Sequence, residues 1–444
     1  MSSRLCSPTV ARNESLGAPP ALVVLSSFVP IAIFGITPRA AAALLIVFAA
    51  TAALGNLLRS APAATWFNLS WPKLAILVFA GWALASTAWS LDPMESATKA
   101  FLLALMSAAA ALTTHSLYRL NPSTANKLVA LGVTSGTTVL ALFLLIELLN
   151  DQVVARYVLH LFPSIMEQDS YHIIRKGDQI IALSDTTINR RIAVFTLLIC
   201  PVLLSIHLLV SQIVKLPTMI AAAVVAFLII AISSHQSSLV GAIVGILTFT
   251  LALYSPSIAF KALAGVWCIA VLVAVPLAKL PHTAGLHNAP WLFESARQRS
   301  IIWNYIADRT MEQPIFGIGA GASAEVSRNS SRQNMEKTPA AVVDPEAARH
   351  PHNGFLQVWY ELGAIGAMLF CIVGLSAIRA TKLKAASLSR LQQACIAAQI
   401  AVIMPMIAFS YSIWQTWFQA ILLFSVTFTV NAIAGGRISQ PRGH

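Results

Sequence analysis

The sequence predicts an all-α polytopic membrane protein of about 12 transmembrane helices. Three observations carry this. The 444 residues have a mean hydropathy of +0.73, with 57% hydrophobic and 10% charged side chains, a balance far outside that of water-soluble domains. The apolar residues gather into runs of about 17 to 25, the length that crosses a bilayer as a helix. The basic residues fall on alternate connections, as the positive-inside rule requires.

The runs centre near 21–37, 40–58, 74–91, 99–117, 127–149, 192–214, 217–233, 238–255, 259–280, 354–378, 392–411 and 414–434. The seventh and eighth are divided only by the polar turn "SSHQSS". Residues 1–20 are polar and rich in Pro and Ser, and two runs follow at once, so the first run reads as a retained helix and not a cleaved signal. This gives five parts: a tail at 1–20, helices one to nine over 21–280 with an outer loop at 150–191, a large outer loop at 281–353, three helices over 354–434, and a tail at 435–444. With the N-terminus inside, Arg4, Arg12, Arg59, Lys73, Arg119, Lys127, Lys215, Lys261, Arg379, Lys382, Lys384, Arg390, Arg437 and Arg442 lie on the cytoplasmic side, with Glu14 the acidic residue among them; Arg39 and Lys99 are small exceptions. The net charge of +12 is therefore topological, and nucleic acid is not an expected partner. Cys6, Cys200, Cys268, Cys371 and Cys395 avoid the long outer loops, so neither a disulfide framework nor a metal spacing is expected.

Polar residues suited to chemistry collect on the outer side. The loop ending "LSDTTINRRIAVFTLL" puts Arg190 and Arg191 where the sixth run begins. The plainer reading is an interfacial pair with snorkelling side chains. Against it, a helix N-terminus already carries partial positive charge, so two arginines there favour a bound anion, and guanidinium matches phosphate oxygens in pairs. The large loop opens "WLFESARQRSIIWNYIADRTMEQPIFGIGAGAS". Apolar spacing predicts a helix over 294–312, broken at Gln313-Pro314, with Arg299 and Trp303 on one face; Arg297 is a second candidate there. "GIGAG" is a weak phosphate-loop signal, since no strand precedes it and no Lys-Ser/Thr follows; it reads as a turn whose amides could meet a ligand.

In "RHPHNGFLQVWYELG", Asn353 is a suitable helix cap. A helix from His352 would set Leu356, Trp359 and Gly363 near one face, with Glu361 opposite. His350 and His352 read either as hydrogen-bonded edge residues or as chemistry. "SYSIWQTWFQA" brings Trp414, Gln415 and Trp417 to the same surface, as an aromatic belt or as sugar-stacking rings. Glu147 and Glu361 are the acidic residues within the runs, which leaves little for an ion-coupled relay. No DxD pair occurs in the outer loops, and "EQD" at 167–169 is a weak cation candidate.

Four stretches resemble the O-antigen ligase/polymerase superfamily, and the O-antigen ligases within it: "RRIAVF", "RSIIWNYIADRTMEQPIFGIGAG", "HNGFLQVWYELG" with the H(X10)G spacing of His352 and Gly363, and "WSLDPMESATKAF". One departure is the turn after the seventh run, where many relatives have Ser-Arg and this chain has "SSHQSS"; His235 or Gln236 is the nearest substitute. The resemblance implies a GT-C-like fold and a bacterial inner-membrane enzyme with a periplasmic site. It would transfer O-antigen polysaccharide from undecaprenyl diphosphate to a hydroxyl of lipid A-core, inverting the anomeric centre, without metal, ATP or other cofactor. It implies His352 as general base and Arg190, Arg191, Arg297 and Arg299 on the diphosphate. Trp303, His350, Asn353, Trp359, Gln415 and Trp417 are then candidate sugar or supporting contacts. The alternatives are an O-antigen polymerase with the same donor and, from another class, a lipid-linked oligosaccharide flippase.

Overall fold

The computed structural model describes residues 20–58, 70–119, 122–162, 173–176, 179–334 and 350–438. Both polar tails save their inner ends, Cys6, Arg349 and the "EQD" segment lie outside the described residues. The chain is helical almost throughout: α1 (Pro20–Ile36), α2 (Ala41–Leu58), α3 (Trp71–Ala85), α4 (Pro93–Arg119), α5 (Pro122–Leu149), α6 (Val153–Leu161), α7 (Asn189–Leu209), α8 (Gln212–Ala231), α9 (Gln236–Tyr254), α10 (Pro256–Leu272), α11 (Ala274–Thr283), α12 (Glu294–Thr310), α13 (Ser323–Asn334), α14 (Gly354–Ala385), α15 (Arg390–Phe409) and α16 (Thr416–Ile438).

Among the described residues, nine helices are long and apolar enough to cross a membrane: α3 with the turn after it, α4, α5, α7, α8, α9, α14, α15 and α16. The other three sequence runs correspond to the shorter apolar α1 and α2 and to the pair α10–α11, which is bent by 71°. The ninth run is thus not one straight span; it breaks at Val273. Helices α7, α15 and α16 form the centre of the bundle, while α8 and α9 sit at its edge.

Some polar groups inside the bundle pair across helices, where hydrocarbon offers them no other partner. Gln399 of α15 donates to the Ser425 hydroxyl and accepts from Thr429 of α16. Asn431 donates to the Asn126 carbonyl, joining α16 to α5. The loop at 150–191 is not structureless. It holds α6 and a short antiparallel pair, β1 (Ile173–Lys176) with β2 (Gln179–Leu183), which bury Ala155, Leu159 and Leu183 together. In the large loop, α12 covers most of the helix predicted over 294–312 and ends before Pro314, where the ring would clash with the preceding turn.

Candidate functional site

Five segments meet at one end of the bundle: the start of α7, the α8–α9 turn, α12, the residues before α14 and the α15–α16 loop. Each presents one polar side chain. Arg299 comes from α12, and its charge acts on His235, His352 and Tyr411; the charge of Arg190 acts on Tyr411 as well. His235 caps the start of α9, with Nδ1 2.6 Å from the Ser238 hydroxyl and Nε2 3.4 Å from the Tyr411 hydroxyl. Trp417 packs edge-on against the Tyr411 ring, 4.7 Å between centroids. Arg299 is half-buried, and among the described residues it makes no hydrogen bond or ion pair. A desolvated guanidinium with no counter-ion is costly unless something anionic joins it.

The ring of His352 is oriented by a backbone oxygen. Its Nδ1 lies 3.0 Å from the Ser410 carbonyl. A carbonyl only accepts, so Nδ1 carries the proton and Nε2 holds the lone pair, the tautomer of a base. The residue adopts φ +52°, a left-handed conformation that only a few per cent of non-glycine residues adopt. Three contacts hold it there. The His352 N–H donates to His350 Nδ1 at 3.2 Å, Asn353 accepts from the Phe355 and Leu356 amides to start α14, and Trp303 donates to the Pro351 carbonyl at 2.7 Å. Burial lowers the His352 pKa, the Ser410 bond raises it and Arg299 lowers it, for a net fall. His235 is held down at about 3 by burial, with Arg299 adding to the effect. Burial raises Tyr411, so its hydroxyl stays protonated despite Arg190 and Arg299. The site therefore offers a neutral imidazole base, neutral hydroxyl and imidazole groups, and two fixed positive charges.

A second assembly, centred on Gly363 and Glu361, carries α14. At Gly363 (φ +65°) the helix opens, and residues 314–319 thread into the gap. Ala364 N–H donates to Pro314 O, Ile318 N–H to Tyr360 O and Gly319 N–H to Glu361 O. A Cβ at Gly363 would stand 2.1 Å from the Ile315 carbonyl oxygen. The buried Glu361 carboxylate accepts from the Gly321 amide, the Ser323 hydroxyl, the Gln357 amide and the Trp414 indole. The far side of the same segment docks on the "WSLDPMESATKAF" stretch and the turn before it: Leu91 N–H donates to Ile318 O and Ser96 to Ala320 O, while Ala320 N–H donates to Ser86 Oγ of the turn.

This geometry corrects several expectations. The amides of residues 317–322 are all taken by protein oxygens, so "GIGAG" is a wedge and not a ligand cradle. His352 precedes the helix, so its spacing to Gly363 marks a cap and a break, not one helical face. Trp359 donates to the Val271 carbonyl, a supporting contact that braces α10. Trp414 and Trp417 are buried, which excludes both a lipid-facing belt and an open stacking surface. Arg191 does not join Arg190. One position along α7 turns it about 100° into the bundle, where it lies 3.6 Å from Glu147, donates to the Ile36 carbonyl and covers the Phe143 ring. Arg297, roughly 200° from Arg299 around α12, is not among the groups acting on His352, His235 or Tyr411. Gln415 keeps a buried side-chain oxygen with no hydrogen-bond partner among the described residues.

Residues 221–371 match the family model described as O-antigen ligase, a span that includes His235, Arg299, His352 and Gly363. This segment of the chain is similar to the O-antigen ligase family. The chain is also similar to provisionally named polysaccharide ligases of Rickettsia conorii (29% identical over 194 residues, 43% of this chain and 45% of that protein) and Rickettsia felis (30% over 199 residues, 43% and 45%). These matches span less than half of each relative's length. Tyr411 is the site residue the sequence hid. It sits in the quoted "SYSIWQTWFQA" stretch, where the tryptophans drew attention first. His235, in the α8–α9 turn, lies within the same cluster.

Proposed function

We propose that this chain is a membrane glycosyltransferase that transfers a polysaccharide, O-antigen in the simplest case, from undecaprenyl diphosphate to a hydroxyl of lipid A-core. The site faces the periplasm at the inner membrane. The observation that carries the reading is Arg299: a half-buried guanidinium without a counter-ion among the described residues, beside an imidazole whose tautomer is set for proton abstraction.

His352 Nε2 takes the proton of the acceptor hydroxyl as its oxygen attacks the anomeric carbon of the donor sugar. The bond from that carbon to the diphosphate oxygen breaks, and the displacement inverts the centre. Negative charge grows on the departing diphosphate, where Arg299 and Arg190 neutralise it and the protonated Tyr411 hydroxyl donates. A good leaving group needs no acid, while an alcohol needs a base, so one histidine suffices. The arginines bring the charge that a divalent cation brings in other phosphate chemistry.

The test is reconstitution in vesicles with the lipid-linked polysaccharide and lipid A-core, without ATP, reading ligated product on a gel. Activity should survive chelator and be lost in His352→Gln. Chelator-sensitive activity would remove the metal-free mechanism, and an active His352→Gln protein would remove the base.

A further inference from the structure

The bent pair α10–α11 points to a surface outside the site. Helix α10 has 17 residues, about 26 Å at 1.5 Å per residue and slightly short of a hydrocarbon core of about 30 Å. Its last turn thus ends near one membrane surface. There the chain bends by 71° into the 10 residues of α11, about 15 Å long. After such a bend α11 advances only roughly 5 Å along the direction of α10, about the depth of the headgroup zone on one side of a bilayer.

The two faces of α11 differ in kind. Ala274, Val275 and Ala278 are buried, with Val275 and Ala278 packed against Ile302 and Ile306 of α12. Leu277 and Leu280, three residues apart, are more than half exposed. They continue the exposed apolar stripe of Ile269 and Leu272 on α10. Beyond the helix, Trp291 is 74% exposed and Phe293 63%, large apolar side chains that a water-facing loop does not gather. Tryptophan at such a depth is the usual interfacial anchor.

We infer that α11 and residues 284–293 form a shelf lying in the plane of the membrane, its apolar face bedded in the acyl chains of the leaflet nearest the site. The occupant is bulk lipid, because the exposed stripe is continuous with the lipid-facing side of α10. The shelf supports α12 directly: Lys279 pairs with Asp308 at 2.5 Å. The large loop therefore re-enters the lipid before it builds the site, and Arg299 is carried at a depth fixed by headgroups. This inference does not depend on the proposed reaction.

Two-phase footprinting of the full chain in lipid nanodiscs tests it without any substitution. A lipid-soluble carbene precursor reports contact with acyl chains, and water-phase hydroxyl radicals report contact with water, both mapped by peptide mass spectrometry. We expect carbene adducts on Leu277, Leu280, Trp291 and Phe293, and at least tenfold slower oxidation of Trp291 than of free tryptophan. Arg309 and Glu312, at the other end of α12, should show no lipid adducts. Oxidation of Trp291 near the free rate would overturn the shelf. So would protection from radicals without carbene adducts, which is the pattern of a second copy or another protein covering this face.

Discussion

At the residue scale, the Ser410 carbonyl fixes the tautomer of His352 and leaves Nε2 unprotonated for its proposed role as base. His352→Gln keeps a polar side chain but has no titrating lone pair, so transfer is expected to fall roughly 10² to 10⁴-fold, measured as ligated product per enzyme. The pH profile offers a separate check. Burial and Arg299 lower the His352 pKa, so the neutral base persists below the ordinary value of about 6.5, and the acidic limb of activity should lie below that pH. A limb at or above it would contradict the described surroundings. Arg299→Lys should keep part of the activity that Arg299→Ala loses, since lysine retains the charge without the planar fork. Tyr411→Phe is expected to cost about 10²-fold, the scale of one lost donor to a developing charge. His352 and Arg299 were legible in the sequence because each is a polar residue beside a helix signal in an otherwise apolar chain. Tyr411 was not, since an aromatic residue at a membrane edge has an ordinary reading, and only the fold shows it against His235.

At the scale of the element, two joints hold the site together. Gly363 opens α14 so that residues 314–319 can enter. Gly363→Ala places a methyl group on backbone atoms that cannot retreat and adds strain at φ +65°, so the protein is expected to accumulate poorly or to melt far lower in detergent. The other joint is Glu147, which accepts from the Val154 and Ala155 amides at the start of α6 and pairs with Arg191. Arg191→Leu leaves a buried carboxylate without its cation, a change expected to cost about 3 to 5 kcal/mol. Arg191→Leu with Glu147→Gln should recover part of this, and a double-mutant cycle on thermal unfolding measures the coupling. If Arg191 instead served the anion site, its loss would show in turnover at unchanged stability. The sequence could not divide Arg190 from Arg191, because adjacent residues at a helix start differ only in direction, and direction depends on a partner 44 positions upstream.

Across the whole molecule, hydropathy and the alternation of charge located each helical run, because a bilayer imposes length and polarity locally. What they missed is what depends on contact: the bend at Val273, the opening at Gly363, and α6 with its small β-hairpin packed on the bundle. Stability should also follow pH through a buried group. His235 has a pKa of about 3 in the fold and about 6.5 when unfolded. Between these values the unfolded chain binds the extra proton, so stability falls as pH drops from about 6.5 towards 3. Thermal unfolding across that window should show the decline, and His235→Gln should flatten it.

The left-handed backbone of His352 carries a consequence for the chain's design. A side chain with a branching ring in that region costs roughly 1 to 2 kcal/mol that glycine would not incur and asparagine would incur less. The position is thus one where folding and turnover pull in opposite directions. His352→Asn, inactive as a base, should refold at least as readily and melt at or above the parent. Selection for thermal robustness alone would favour glycine or asparagine here, which accords with the proposed role of His352.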